Sequence, residues 1–149
     1  MNEENNQRQS HAHIELASFK KRGLAFFIDE LLLSTLFLIA LYDQIAGLQD
    51  AEAMLAIINN YSFEYLLIKV LYQTLFVFIY SATIGKIVMK IQVVDVDEGA
   101  RPIFSSALNR GVFRVISEMI FYIGFVWAYY NKERQTWHDK TARTLVVDV

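Results

Sequence analysis

The sequence has no cysteine, which excludes disulfides and thiolate-ligated metals and leaves the compartment open. It has no phosphate-cradling Gly-rich loop and no nucleophile motif. The Gly-Lys of TIGK, residues 83–86, lacks the upstream Gly of a P-loop, so Lys86 reads as a positive anchor. No basic stripe interleaved with aromatics points to nucleic acid. His11 and His13 lie in a polar tail with no third ligand nearby, so no metal site is expected there. His138 and Asp139 are neighbours in sequence, which does not bring their side chains together. Beside Trp137, His138 reads as an anchor at a membrane interface. These absences point away from an enzyme, a cofactor and a metal. No repeat of domain size occurs, and 149 residues suit one domain.

What the sequence has in excess is apolar residues, 54% of the chain against roughly 45–50% in soluble domains. They are clumped. Leu24–Tyr42 is a run of 19 residues interrupted only by Asp29, Glu30 and two hydroxyls. Tyr65–Ile84 is a second run, interrupted by Lys69 and Gln73. Gly111–Tyr130 is a third, carrying Arg114 and Glu118, and its uninterrupted part, Met119–Tyr130, holds only 12 residues. A span needs about 20 mostly apolar residues. The sequence therefore predicts an all-α membrane protein with two full transmembrane helices and a weaker third hydrophobic segment. A cleaved signal peptide does not fit the first run, which follows a polar tail and lacks a small-residue cleavage site. The division expected is a disordered cytoplasmic tail over 1–20 and a transmembrane domain over 21–149.

Orientation follows from Lys and Arg in short loops. The tail has Arg8, Lys20, Lys21 and Arg22; the segment 43–64 has neither Lys nor Arg; the segment 85–110 has Lys86, Lys90, Arg101 and Arg110. The N-terminus and 85–110 are thus expected in the cytoplasm and 43–64 outside. Residues 131–149 again hold Lys132, Arg134, Lys140 and Arg143, which three full spans would place outside, against the rule. The stretches KIQVVDVD (90–97) and TLVVDV (144–149) read as Val-rich strands, about 91–96 and 144–148, that share the tetrapeptide VVDV. Lone strands satisfy their backbone groups best by pairing, which requires one side of the membrane. A cytoplasmic C-terminus is therefore expected, with the third segment a re-entrant hairpin bent at Gly124 and a third span as the alternative. Ser105 is expected to cap the helix through Arg110 and Arg114, and 48–58 to form a short amphipathic helix outside.

Depth can be read from helical rise. Asp29 lies seven residues beyond Arg22, nearly two turns, hence on one stripe and about 10 Å inward. Glu30 points about 100° away. Arg110, Arg114 and Glu118 recur every four residues on another stripe, with Glu118 about 12 Å in. Asp29, Glu30, Ser81, Thr83, Arg114 and Glu118 would form one polar layer in the inner leaflet. Buried charges are expected to pair: Arg114 with Asp29, with Glu118 or Glu30 as rival partners, and Arg22 with Asp139, which would otherwise reach Lys86 or Arg110. Lys69, near the outer end of the second helix, is expected to snorkel outward.

These residues resemble the RDD family of bacterial membrane proteins. The family opens its first helix with Arg, a spacer, Ala and Ile-Asp, as in RGLAFFID with Arg22, Ala25 and Asp29. Its second helix ends in Thr-x-Gly-Lys before a Val-Val-Asp strand and a Gly turn, as in TIGK and VVDVDEG; an Arg-x-x-x-Arg start follows, matched by Arg110 and Arg114. The closing HDKTARTLVV supplies His138, Asp139 and Thr144. The resemblance runs from about Lys21 to Val147 and makes Arg22, Asp29 and Asp139 the namesake residues. It implies a bacterial inner-membrane location. The family often has Gly in place of Thr141 or Arg143, which this chain lacks. Some members are linked to sodium–proton antiport, a link that fold alone does not transfer.

Two functions compete. One is a structural, accessory or assembly role in the bilayer, with a homo-oligomer or a membrane-protein partner, although no GxxxG motif specifies lateral packing. The other is a cation/proton antiporter, or a subunit of one, using Asp29 and Glu118. Arg22, Asp29, Glu30, Arg110, Arg114, Glu118 and Asp139 are the candidate residues for either.

Overall fold

A computed structural model describes residues 15–120, 123–130 and 132–149 of the chain. The expected tail over 1–20 falls largely outside these residues, as do His11 and His13. Residues 15–20 do not: the Leu16 backbone bridges Val147, Ala17 is fully buried, and the first helix starts at Phe19. The folded unit therefore begins before residue 21.

Helix α1 (Phe19–Ala40) has 22 residues, long enough at about 33 Å to cross a hydrocarbon core of about 30 Å. The Ser18 side chain caps it by accepting from the Lys21 N–H at 3.3 Å. Two short helices follow, α2 (Tyr42–Ile45) and α3 (Ala51–Asn60), the latter capped by the Asp50 carboxylate. α3 is the short helix expected over 48–58, moved toward the C-terminus by its Asp50 cap. Helix α4 (Ser62–Tyr80) has 19 residues and ends at Ser81, whose φ of 58° is left-handed. These two helices, α1 and α4, are the ones long and apolar enough to cross a membrane among the described residues.

Their burial is inverted relative to a soluble core. On α1 the buried residues are Ala25, Asp29 and Leu33, a single stripe at i, i+4, i+8. On α4 they are Lys69, Gln73, Thr74 and Val77. Leu24, Phe27, Leu31, Leu67, Leu71 and Leu75 instead face outward. Water would reverse this pattern; a hydrocarbon solvent selects it, because ionisable groups then turn inward to find partners.

The third apolar segment is not one helix. Helix α5 (Ile84–Val88) and strand β1 (Ile91–Asp95) intervene after α4, and α6 (Phe104–Met119) then runs 16 residues to a cap at Ile120. Helix α7 (Ile123–Tyr130) resumes for eight. At about 24 Å and 12 Å, neither reaches across a hydrocarbon core alone. Gly124 lies inside α7, so the break falls earlier than expected. Ser105 lies inside α6, whose N-cap is Ile103, directly after Pro102. Pro102 disfavours helical backbone at Arg101, so the helix does not extend back past it.

Helix α8 (Trp137–Thr141) and strand β2 (Thr144–Asp148) complete the chain. β1 and β2 pair antiparallel with Val93 opposite Val146, and both lie within the spans expected from the sequence. A lone strand pair is marginal. Here residues 15–17 extend it along one edge: Ala17 N–H donates to Val146 O at 3.0 Å and Asp148 N–H to Glu15 O at 2.9 Å. Val93 N–H donates to Ser81 O at 2.7 Å, tying β1 to the end of α4. The ribbon buries Ile91, Val93 and Val146 against Ala17, Ala25, Val77 and Ala107. α5 packs on α1, α6 on α4 and α8 on α6, so the ribbon, α5 and α8 gather at the end of the two long helices opposite α2 and α3.

Candidate functional site

Asp29 is fully buried on the inner stripe of α1. Its Oδ1 accepts from the Tyr72 hydroxyl at 2.7 Å and from the Gly85 N–H at 2.8 Å, and its Oδ2 from the Thr83 hydroxyl at 2.6 Å. Arg114 Nη1 stands 3.7 Å from Oδ2. Gly85 is required here. A Cβ at that position would collide with the Ala25 carbonyl oxygen and stand 2.9 Å from Asp29 Oδ1. Its missing side chain lets the start of α5 reach the α1 backbone. The expected contact between Arg114 and Asp29 is thus a long one. Arg114 donates its closer bonds to Gln73 Oε1 and, at 3.3 Å, to Glu118 Oε1. The Arg114 guanidinium also lies 4.9 Å from the centre of the Phe26 ring.

Lys69 corrects the sequence reading. It does not snorkel outward; it is buried between two carboxylates, 2.8 Å from Glu30 Oε2 and paired with Glu118. Glu30 also accepts from the Tyr65 hydroxyl at 3.0 Å. Seven residues in from Ser62, Lys69 sits about 10 Å along α4. Turning it outward would leave Glu30 and Glu118 without their cation inside an apolar slab, the costlier outcome. Asp29 and Glu30, adjacent in sequence, therefore meet different partners within one network, Glu30 through Lys69 and Asp29 through Tyr72, Thr83 and Arg114.

Asp139 ties the other end together. Arg22 from α1 and Arg110 from α6 both pair with it, and it is fully buried. It also closes a capping box on α8: its Oδ2 accepts from Thr136 N–H at 3.0 Å, while Thr136 Oγ1 accepts from Asp139 N–H at 3.3 Å. Arg110 further donates to Thr144 Oγ1 at 2.8 Å, at the start of β2. Burial alone pushes the Asp139 carboxyl up, but Arg110 and Arg22, with His138 and the Thr136 N–H, outweigh it and hold it well below the usual carboxylate range.

His138 is the second correction. It is buried rather than set at an interface, with Nε2 3.9 Å from Asp139 Oδ1. Burial pushes its pKa well below the ordinary value, against the pull of Asp139. The short α8 turns the imidazole inward, toward a cavity of about 220 Å³. Lys86, which the sequence marks as an anchor, lines the same cavity from α5 and is buried. Burial lowers its pKa to about 7, against the pull of Asp29.

The structure thus brings Arg22, Arg110 and Asp139 into one cluster. It brings Asp29, Arg114 and Glu118 into a second, and Glu30 joins Glu118 through Lys69. It also recruits Thr144, named in the closing motif, and Tyr72, Gln73 and Thr136, to which the sequence gives no role. Thr136 was detectable: Thr-x-x-Asp over 136–139 is the capping-box pattern with Asp in place of Glu. Tyr72 and Gln73 are tolerated interruptions of an apolar run, and nothing local distinguishes them from surface residues.

The family model for the RDD family matches residues 16–143. No curated protein and no solved structure matches the chain.

Proposed function

This chain belongs to the RDD family, and from that premise we propose a non-catalytic, multi-pass protein of the bacterial inner membrane with a structural, accessory or assembly role. Its buried charges act as a clamp. They join two spanning helices to a re-entrant unit, α6 and α7, and to the β ribbon on the cytoplasmic side. The observation that carries this reading is Asp139, which accepts Arg22 from the first helix and Arg110 from α6 while capping α8. One carboxylate thereby fixes three elements far apart in sequence. The paired strands support a shared side for 91–95 and 144–148, and the break after Met119 supports a segment that enters and leaves on that side. The outward Leu and Phe residues of α1 and α4 are suited to lipid or to a second membrane helix.

Ion passage through Asp29 finds less support. Three donors already occupy its oxygens, and a mobile cation would have to displace them. The test is reconstitution in proteoliposomes under a sodium gradient. The clamp reading expects no proton movement by the wild-type chain, and a loss of thermal stability in Asp139→Asn. Proton flux that is abolished by Asp29→Asn would overturn it.

A further inference from the structure

The cavity beside the clamp has an unbalanced wall. Arg22, Lys86, Arg110 and Arg114 line it, and among the described residues no Asp or Glu does. The compensating carboxylates stand behind these cations and are already engaged. Asp139 is taken by Arg22 and Arg110, and Glu118 is shared by Arg114 and Lys69. Around the cavity and the ion pairs behind it, the cations Arg22, Lys69, Lys86, Arg110 and Arg114 outnumber the carboxylates Asp29, Glu30, Glu118 and Asp139 by one. The surplus can be located. Lys86 is more than nine-tenths buried and has no carboxylate at ion-pair distance among the described residues; its Nζ donates at 3.2 Å to Thr83 Oγ1, a hydroxyl already committed to Asp29. On Arg110, also in the wall, Nε has no hydrogen-bond partner among the described residues. Buried cations left this way call for an anion.

We propose that this cavity binds a phosphate-bearing anion, held by Lys86 and Arg110 with Arg22 and Arg114 around it. Cations arriving from three helices suit a tetrahedral anion with several acceptor oxygens, and guanidinium groups match phosphate geometry. A volume of about 220 Å³ is several waters in size, enough for a phosphate group. Besides Thr136 and His138, the rest of the wall is apolar: Phe19, Gly23, Phe26, Ala128 and Val146. Phe19 is half exposed and stacks edge-on with Tyr129 at 6.2 Å, so an apolar portion of the ligand has a surface to follow outward. A phospholipid headgroup and a soluble phosphate both carry the required chemistry. The site goes beyond the clamp role and does not depend on it.

The test uses the full chain in a neutral sugar detergent, titrated separately with inorganic phosphate and with phosphatidylglycerol, and read by thermal unfolding and native mass spectrometry. At least one of the two ligands raises the unfolding temperature saturably and is retained as a one-to-one adduct. A response to phosphate assigns the soluble source, and a response to phosphatidylglycerol alone assigns the headgroup. Lys86→Met raises the half-saturating concentration about tenfold or more, the loss expected for a charge-assisted hydrogen bond. Lys20→Met, which removes an exposed cation, leaves it unchanged. Lys86→Met removes a cation that has no carboxylate partner, so it leaves no orphaned charge and should fold. If it does not, Lys86→Arg must keep the affinity. No retained adduct and no shift in the wild-type chain, or equal affinity in Lys86→Met, overturns the proposal.

Discussion

Asp139 carries one charge and faces two, Arg22 and Arg110. Asp139→Asn would keep an acceptor for the Thr136 N–H but leave two guanidinium groups inside the protein with no anion. Breaking a buried pair this way costs about 3–5 kcal/mol, and chemical denaturation in detergent should show a loss of that size. The pH dependence has a definite sign. The folded Asp139 carboxyl sits well below 3.8, so its stabilisation is present above that value and is lost only as pH falls through the depressed folded value. His138 behaves differently. Its pKa in the fold lies well below 6.5, so beneath pH 6.5 the unfolded chain binds the proton and the folded one does not. The unfolding temperature should therefore begin to drop as pH falls below 6.5, before Asp139 titrates. His138→Asn should flatten that first decline and leave the acid limb in place.

At the scale of elements, two backbone sites make opposite predictions. Gly85 lets α5 touch α1, and the atom a Cβ would strike is the Ala25 carbonyl, which cannot swing away as a side-chain tip can. Gly85→Ala should cost about 1–3 kcal/mol by overpacking and weaken the Asp29 bond to the Gly85 N–H. Arg143 is the reverse case. It stands at φ 52° in the turn before β2, a conformation that a side chain disfavours by about 1–2 kcal/mol. Its pair with Asp97, at 3.7 Å, is solvent-exposed and contributes little. Arg143→Gly should not destabilise the chain, and equilibrium unfolding of both variants would show the contrast. A Gly would adopt this turn without that strain, and this chain forms it with a left-handed Arg. The strands were legible too, as Val-rich stretches that need a partner; their register was not, since the two VVDV tetrapeptides, 93–96 and 146–149, meet only at Val93 opposite Val146. The break after Met119 was not. No Pro or Gly marks Ile120, and hydropathy registers composition rather than continuity. Lys69 was misread for a related reason: its distance from a helix end is local, whereas Glu30 and Glu118 approach only in the fold.

For the whole molecule, strand pairing limits the topology more than any single helix does. β1 and β2 exchange backbone hydrogen bonds, so 91–95 and 144–148 must share one side of any bilayer, whichever side that is. In the proposed topology, with α1 and α4 both crossing, 43–60 lies on the other side and the segment from α6 to α8 returns to where it started. In the proposed topology that shared side is the cytoplasmic one, as the Lys and Arg of 85–110 and 132–143 favour. The absence of cysteine gives a clean measurement, because any introduced thiol is unique. Gly47 is open enough that a side chain meets nothing, and Glu98 and Val149 are exposed. In intact cells a membrane-impermeant maleimide should label Gly47→Cys and spare Glu98→Cys and Val149→Cys, which should react only after lysis. The inverse pattern would turn the protein over in the membrane while preserving the fold. Opposite labelling of Glu98→Cys and Val149→Cys is the result the paired strands forbid, and it would replace the re-entrant unit with a third span.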